Sequence, residues 1–337
     1  MRILILGAGA LGSLLGARLS ATRESVTLLS TNRPHMEAIR RHGLTIEELD
    51  GSQSAHHLHC ICSPEQIREK PDLVIVVVKS YATCEAVAGV SAFCGPSALY
   101  LTLQNGVGNW ERIASVVGDE PVLAGSTAQG STRLGPGRIR HGGNGPTYIG
   151  ETSGPASTRV QSVVNVFRSA GFDAFVSDCV DQLISEKHLI NVGINAITAL
   201  TGIRNGSIAA WEPANALCRA AVEEAVRVVR ARGCGVREGI VERVLEVAAA
   251  TAVNRSSMGQ DVDRMKRTEI DAINGAIVNA GREIGISTPV NETLTRLVKI
   301  LEAGYLEGGR DERPAPSFPP DLPGPAASFA QTGESRL

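Results

Sequence analysis

The chain has 337 residues, with 33 Lys and Arg against 35 Asp and Glu, for a formal net charge of −2. That length suits two domains with substantial cores, and the near balance of charge, with no basic run, argues against a nucleic-acid partner. A hydrophobic content of 43% with 20% charged residues is ordinary for a globular protein, and no segment is long and apolar enough to span a bilayer, so no membrane association is expected.

Residues 3–17 form an apolar run after Arg2 that could pass for a signal peptide, but glycines interrupt it at positions 7, 9, 12 and 16. Ile3-Leu4-Ile5-Leu6 has the character of a strand buried on both faces. Gly7-Ala8-Gly9-Ala10-Leu11-Gly12 follows, a helical pattern continues to about Ser20, and a second strand comes at Val26-Thr27-Leu28-Leu29. A GxGxxG between a first strand and a helix, inside such a unit, predicts a dinucleotide site. Gly7 permits the tight turn, Gly9 lets backbone approach a pyrophosphate, and Gly12 lets helix pack on strand, with the helix N-terminus facing the phosphate charge. NAD sites usually carry an acid at the end of the second strand. Here Ser30-Thr31-Asn32-Arg33 stands instead, which suits a 2′-phosphate and makes NADPH the expected cofactor.

The seven cysteines are odd in number, irregularly spaced and without CxxC, which fits a reducing cytoplasm rather than a disulfide framework. His57, His59, Cys60 and Cys62 do not predict a metal site, because on an extended segment the two histidines face away from the two cysteines.

Asp72–Val78 is the clearest strand and ends in Lys79-Ser80; Ala98–Leu103 is another and ends in Gln104-Asn105-Gly106-Val107-Gly108. Both polar tips fall at carboxyl ends of strands, where open α/β sheets bind ligands. Pro121–Gly125 leads into a loop that includes Gly130, and glycines from 135 to 150 predict hairpin structure. Residues 155–170 fit an amphipathic helix and Phe172–Val176 a last strand. From about 178 the pattern is helical, with helices expected near 214–232, 237–252, 260–284 and 290–306. Six prolines after residue 311 predict disorder. The expected organisation is a doubly wound Rossmann-type domain at 1–177, an all-helical domain at 178–308 and a disordered tail at 309–337.

On the helix expected to open the helical domain, before those four, Lys187, Asn191 and Asn195 lie at i, i+4 and i+8 and share one stripe, while Leu189, Ile190, Val192, Ile194, Ile197 and Leu200 cover most of the rest. One ammonium and two amides on a buried helix need partners. A lysine can protonate an oxygen, and two carboxamides can hold a polar substrate beside it; a capped core helix with a snorkelling lysine is the plain alternative. The break Asn254-Arg255-Ser256-Ser257 also has a plain reading, with Ser256 or Ser257 as N-cap of the next helix.

These residues together resemble the ketopantoate reductase family, the 2-dehydropantoate 2-reductases, over roughly residues 1–306. The likeness rests on five ordered blocks: GAGALG at 7–12, VKS at 78–80, QNGVG at 104–108, KxxxNxxxN at 187–195 and SSMxQD…RTEIDAINGAIV at 256–278. It implies a Rossmann domain followed by a helical one, and NADPH-dependent reduction of a 2-oxo acid, 2-dehydropantoate first, to pantoate on the route to pantothenate and coenzyme A. By that resemblance Gly7–Gly12, Lys79, Asn105 and Gly130 contact NADPH, with Arg33 a candidate for the 2′-phosphate. Lys187 is the proton donor, and Glu269 touches the nicotinamide end of the cofactor or polarises the site. Asn191, Asn195, Asn205, Asn254, Ser256 and Ser257 hold the substrate.

The sequence departs from the family in three places. Ser185 stands where the family often has an aromatic residue, the basic residue after the second strand is displaced to Arg33, and the proline-rich tail is extra. A reductase of another branched 2-oxo acid and a non-catalytic NADP sensor stay open as alternatives, and so does the oligomeric state, with a homodimer as one option.

Overall fold

The structure, a computed structural model, describes residues 1–307; the tail expected to be disordered lies outside the described residues. The chain begins β1 (Arg2–Leu6), α1 (Ala10–Ser20), β2 (Ser25–Leu29), α2 (Arg33–His42), β3 (Leu44–Glu47), β4 (Gln53–His56) and β5 (His59–Ile61). It continues through β6 (Leu73–Val76), α3 (Thr83–Ser91), β7 (Leu99–Thr102), α4 (Asn109–Val117) and β8 (Val122–Thr127). Then come β9 (Gly130–Gly135), β10 (Arg138–Gly143), β11 (Thr147–Glu151), α5 (Thr158–Ser169) and β12 (Ala174–Val176).

The large sheet has eight strands in the order β12-β11-β8-β7-β6-β1-β2-β5. Its six strands from β8 to β5 are parallel, and β11 and β12 run opposite to them. Leu73–Val76 is buried at every position, as a strand covered on both faces must be. One face packs on Leu14 and Leu15 of α1 and Val163 and Phe167 of α5. The other packs on Val87 and Val90 of α3 and Ile113 of α4. The sheet is therefore doubly wound, and its order reverses between β1 and β6. In open sheets of this kind ligands bind outside the carboxyl ends of the two strands at such a reversal.

A second sheet, β4-β3-β10-β9, was not expected from the sequence, and the hairpin expected within 135–150 is corrected to β9–β10, which starts at Gly130, with β11 joining the large sheet instead. Leu44, Ile46 and Ile139 pin the second sheet to the α1 side of the core.

The helical part comprises α6 (Val180–Thr201), α7 (Asn205–Ala210), α8 (Glu212–Ala231), α9 (Ile240–Ala250), α10 (Ser257–Asp263), α11 (Asn274–Glu283) and α12 (Pro289–Leu306). Its core gathers Leu189, Val192 and Ile197 of α6 with Val222, Val244, Ile277 and Val298. Each such side chain stabilises by about 1.5–3 kcal/mol when fully buried, so α6 is the axis of this half.

The continuous helix expected over 260–284 is corrected to three pieces, α10, a 3-10 turn at Ile270–Ala272 and α11. After α10, Met265 takes a left-handed backbone at φ 51°. The Thr268 N–H donates to Glu302 of α12 at 2.6 Å instead of to a helical carbonyl. The break leaves Glu269 in a loop, free to turn back towards the large sheet.

Candidate active site

The first half of the site is the turn from β1 to α1. Gly7 sits at φ +109°, and a Cβ there would come within 2.6 Å of the Val78 amide nitrogen. A Cβ on Gly12 would meet the Gly7 carbonyl oxygen at 2.2 Å, so turn and helix close only with glycine at both positions. A Cβ on Gly9 would meet nothing within 4 Å. No side chain caps α1 at Gly9, and its first turn holds no acid. Bare backbone facing open space at a helix N-terminus is a cradle for an anion, and it fits a dinucleotide pyrophosphate.

The carboxyl end of β6 supplies Lys79 and Ser80, and both are gripped from the helical part. Lys79 Nζ donates to Asp261 Oδ2 at 2.5 Å and to Glu269 Oε2 at 3.2 Å. The Ser80 N–H and hydroxyl donate to Glu269 Oε1 at 2.9 and 2.5 Å. Burial works against the Lys79 ammonium, but Glu269 and Asp261 outweigh it and raise its pKa. Burial raises the Asp261 carboxyl in turn, with Lys79 pulling the other way. A half-buried lysine between two buried carboxylates is tolerable because each of the three is hydrogen-bonded.

The third component is α6. Lys187, half-buried, donates from Nζ to the Thr127 carbonyl at the end of β8, at 2.7 Å. Burial lowers its pKa to about 8, with the Glu269 charge opposing. One turn on, Asn191 Nδ2 is buried without a partner. A further turn on, buried Asn195 donates to Ser257 Oγ at 3.5 Å. Lys187, Asn191, Asn195, Ser257 and Glu269 are thus brought into one region, with the ammonium and an unsatisfied amide donor on the same stripe.

Other expected residues lie differently. Ser256 is buried; its hydroxyl caps α10 by accepting from Gly259 N at 3.0 Å and also accepts from Thr198 Oγ1 at 2.6 Å. Of the serine pair, therefore, Ser257 is the one free for a substrate. Asn205 donates to Thr251 Oγ1 at 3.0 Å, leaving its own Oδ1 buried and unpartnered. The exposed Asn254 meets it through its carbonyl, which accepts from Asn205 N. Asn105 is half-buried, and its carbonyl accepts from Asn109 Nδ2. Gly130 opens β9, where a Cβ would press on Gly143 N at 3.0 Å.

At the end of β2, Asn32 caps α2 by accepting from His35 N at 3.2 Å. That leaves exposed Thr31 and Arg33 facing outwards.

Sequence reasoning missed Asp261, although it stands in the SSMxQD block, and Ser80, which stands in VKS. It also missed His188. Burial lowers that imidazole to about 4, so it is neutral, and Nε2 pairs with the Ile273 carbonyl at 2.9 Å, steadying the loop behind Glu269. Among the described residues no three His, Cys, Asp or Glu side chains group to hold a metal ion, and no helix is long and apolar enough to cross a membrane.

Residues 3–154 match the family model Ketopantoate reductase PanE/ApbA, and residues 180–302 match its C-terminal counterpart. The chain is 39% identical over 302 residues to the 2-dehydropantoate 2-reductase of Halobacterium salinarum, covering 90% of this chain and 99% of that protein. It resembles the crystal structure of a PanE/ApbA family ketopantoate reductase from Ralstonia eutropha JMP134, with a TM-score of 0.84 and 31% identity, over 91% of this chain and 100% of that one. A likeness of fold alone extends to D-mandelate dehydrogenase solved with NADH and anilino(oxo)acetate, at a TM-score of 0.85 and 24% identity, over 91% of this chain and all of that one. With both halves of the family model matched in order, the chain belongs to the ketopantoate reductase family.

Proposed function

We infer that this protein is an NADPH-dependent reductase of the C2 ketone of 2-dehydropantoate, yielding pantoate. The observation that carries the reading is Lys187: a half-buried ammonium lowered to about 8, one helical turn from the unpartnered Asn191 amide. The chemistry NADPH supplies when bound is a hydride for the C2 carbon.

In this reading the chain does the rest. The Gly7–Gly12 turn receives the pyrophosphate on the N-terminus of α1, and Asn105 and Gly130 border the dinucleotide. Lys187 gives a proton to the C2 oxygen as negative charge develops there, and its residual charge stabilises the same atom. A pKa near the working pH lets one group hold that proton and release it. Thr127 fixes Nζ through its carbonyl, so the proton points where the ketone arrives.

Asn191 and Asn195 hydrogen-bond the substrate's oxygens, and Ser257 with the amides opening α10 takes the carboxylate. Asn205 and Asn254 support that wall. Glu269 orders Lys79 and Ser80 across the two halves and keeps Lys187 from losing its proton too readily. We place the boundary between the two working halves near residue 178, just before α6, and the enzyme in the cytoplasm acting on a small molecule.

Incubation with 2-dehydropantoate and NADPH carrying deuterium at both nicotinamide C4 positions tests this. One deuterium is expected at C2 of pantoate; unlabelled pantoate, or none, would overturn it.

A further inference from the structure

We propose that Arg133, with Arg264 beside it, holds the adenosine 2′-phosphate of NADPH and makes the second sheet the source of cofactor preference. The proposal rests on the NADPH reading above and names a residue that the dinucleotide motif does not contain.

Arg133 lies on β9 directly opposite Ile139 of β10. Paired residues of an antiparallel ladder share a face, and Ile139 is packed in the core with α1. The arginine therefore rises on the α1 side of the sheet. The tip of that hairpin is fastened to the nucleotide-binding unit by one buried ring. His35, in the first turn of α2, accepts from Gly137 N at Nδ1 (2.9 Å) and meets Ser13 Oγ of α1 at Nε2 (3.0 Å). Burial and then the Arg133 charge lower the His35 imidazole to about 4, and the ring holds Gly137, four residues beyond Arg133, against the start of α2. In a Rossmann unit that is the end of β2, where the adenosine ribose is carried.

The charge around Arg133 is unbalanced. Arg264 Nη2 donates to the Arg133 carbonyl at 3.1 Å, and Lys266 feels both guanidinium groups. The carboxylates of α10 are engaged elsewhere, Asp261 with Lys79 and Asp263 with Arg255. Among the described residues none of Arg133, Arg264 and Lys266 has an ion pair. Burial and then the neighbouring Arg264 charge lower the half-buried Arg133 guanidinium. A phosphate dianion supplies what is missing, and a planar guanidinium binds it through two parallel hydrogen bonds. Arg33, exposed at the first residue of α2, flanks the same ribose but lacks that cluster.

Calorimetric titration of the full chain with NADPH, NADH, 2′,5′-ADP and 5′-AMP tests the assignment. Arg133→Gln is expected to weaken NADPH and 2′,5′-ADP about tenfold while NADH and 5′-AMP stay near their wild-type affinities. Arg133→Lys, which keeps the charge without the fork, is expected to recover part of the loss, and it carries the test if the glutamine variant folds poorly. Equal losses for NADPH and NADH, or no loss for either, would overturn the Arg133 assignment and leave the reductase reading standing. A wild-type chain that binds 2′,5′-ADP no better than 5′-AMP would overturn both.

Discussion

Replacing Lys187 by Met should make the protein more stable and nearly inactive at once. Lowering the ammonium from its ordinary 10.5 to about 8 corresponds to about 3 kcal/mol of destabilisation near neutral pH, at about 1.4 kcal/mol per pH unit. Losing the 2.7 Å bond to the Thr127 carbonyl returns about 1 kcal/mol of that. A thioether of similar length fills the same space, so the net gain is about 2 kcal/mol.

The gain has a pH signature. Between about 8 and 10.5 the unfolded lysine binds more protons than the folded one, so wild-type stability rises with pH there. The difference between variant and wild type is full below about 8 and gone by 10.5. Denaturant midpoints of the two proteins at several pH values measure it. Turnover should fall by about 10²–10⁴, the scale of a positioned acid. A destabilised Met variant with near-normal turnover would refute the reasoning, because it would make Lys187 a core lysine and not an acid.

The rate of reduction by the wild type should fall as pH rises through about 8, as Lys187 loses its proton. Glu269→Gln removes the charge that opposes burial, so that limb should move to lower pH by about one unit; a limb that stays put would show that Lys187 does not set it. Asn191→Leu should remove a buried donor with no partner, stabilising the ligand-free protein by about 1 kcal/mol and raising KM for the 2-oxo acid but not for NADPH. An unchanged substrate KM would remove Asn191 from the pocket.

The cofactor half was legible because its signals are local. A buried strand, the three glycines of the motif and a helix all fall within Arg2–Ser20, and their spacing is read from that stretch alone, although the contact that demands glycine at position 7 comes from Val78. The stripe of Lys187, Asn191 and Asn195 was legible for the same reason, through helical period alone. What escaped depends on distant parts of the chain. β3 has only four residues, and its parallel partner β10 begins at Arg138, paired with Thr45; β4, Gln53–His56, has no buried residue to mark it. The break after α10 is invisible to apolar periodicity, since it is enforced by Glu302 reaching the Thr268 N–H. Asp261 meets Lys79 across 182 residues of sequence, so nothing near either one announces the pair. Ser256 and Ser257 look alike as neighbours, and only their surroundings make one a cap and leave the other free.

The most direct test of the central claim is the steady-state rate of NADPH absorbance loss with a panel of 2-oxo acids. 2-Dehydropantoate should give the highest kcat/KM. Its analogue without the hydroxyl, 2-oxo-3,3-dimethylbutanoate, should fall behind by an order of magnitude or more, because the amides proposed to meet that hydroxyl would be left buried and unpaired. Comparable rates on the two compounds, or turnover only of some other 2-oxo acid, would contradict the assignment of 2-dehydropantoate to this site.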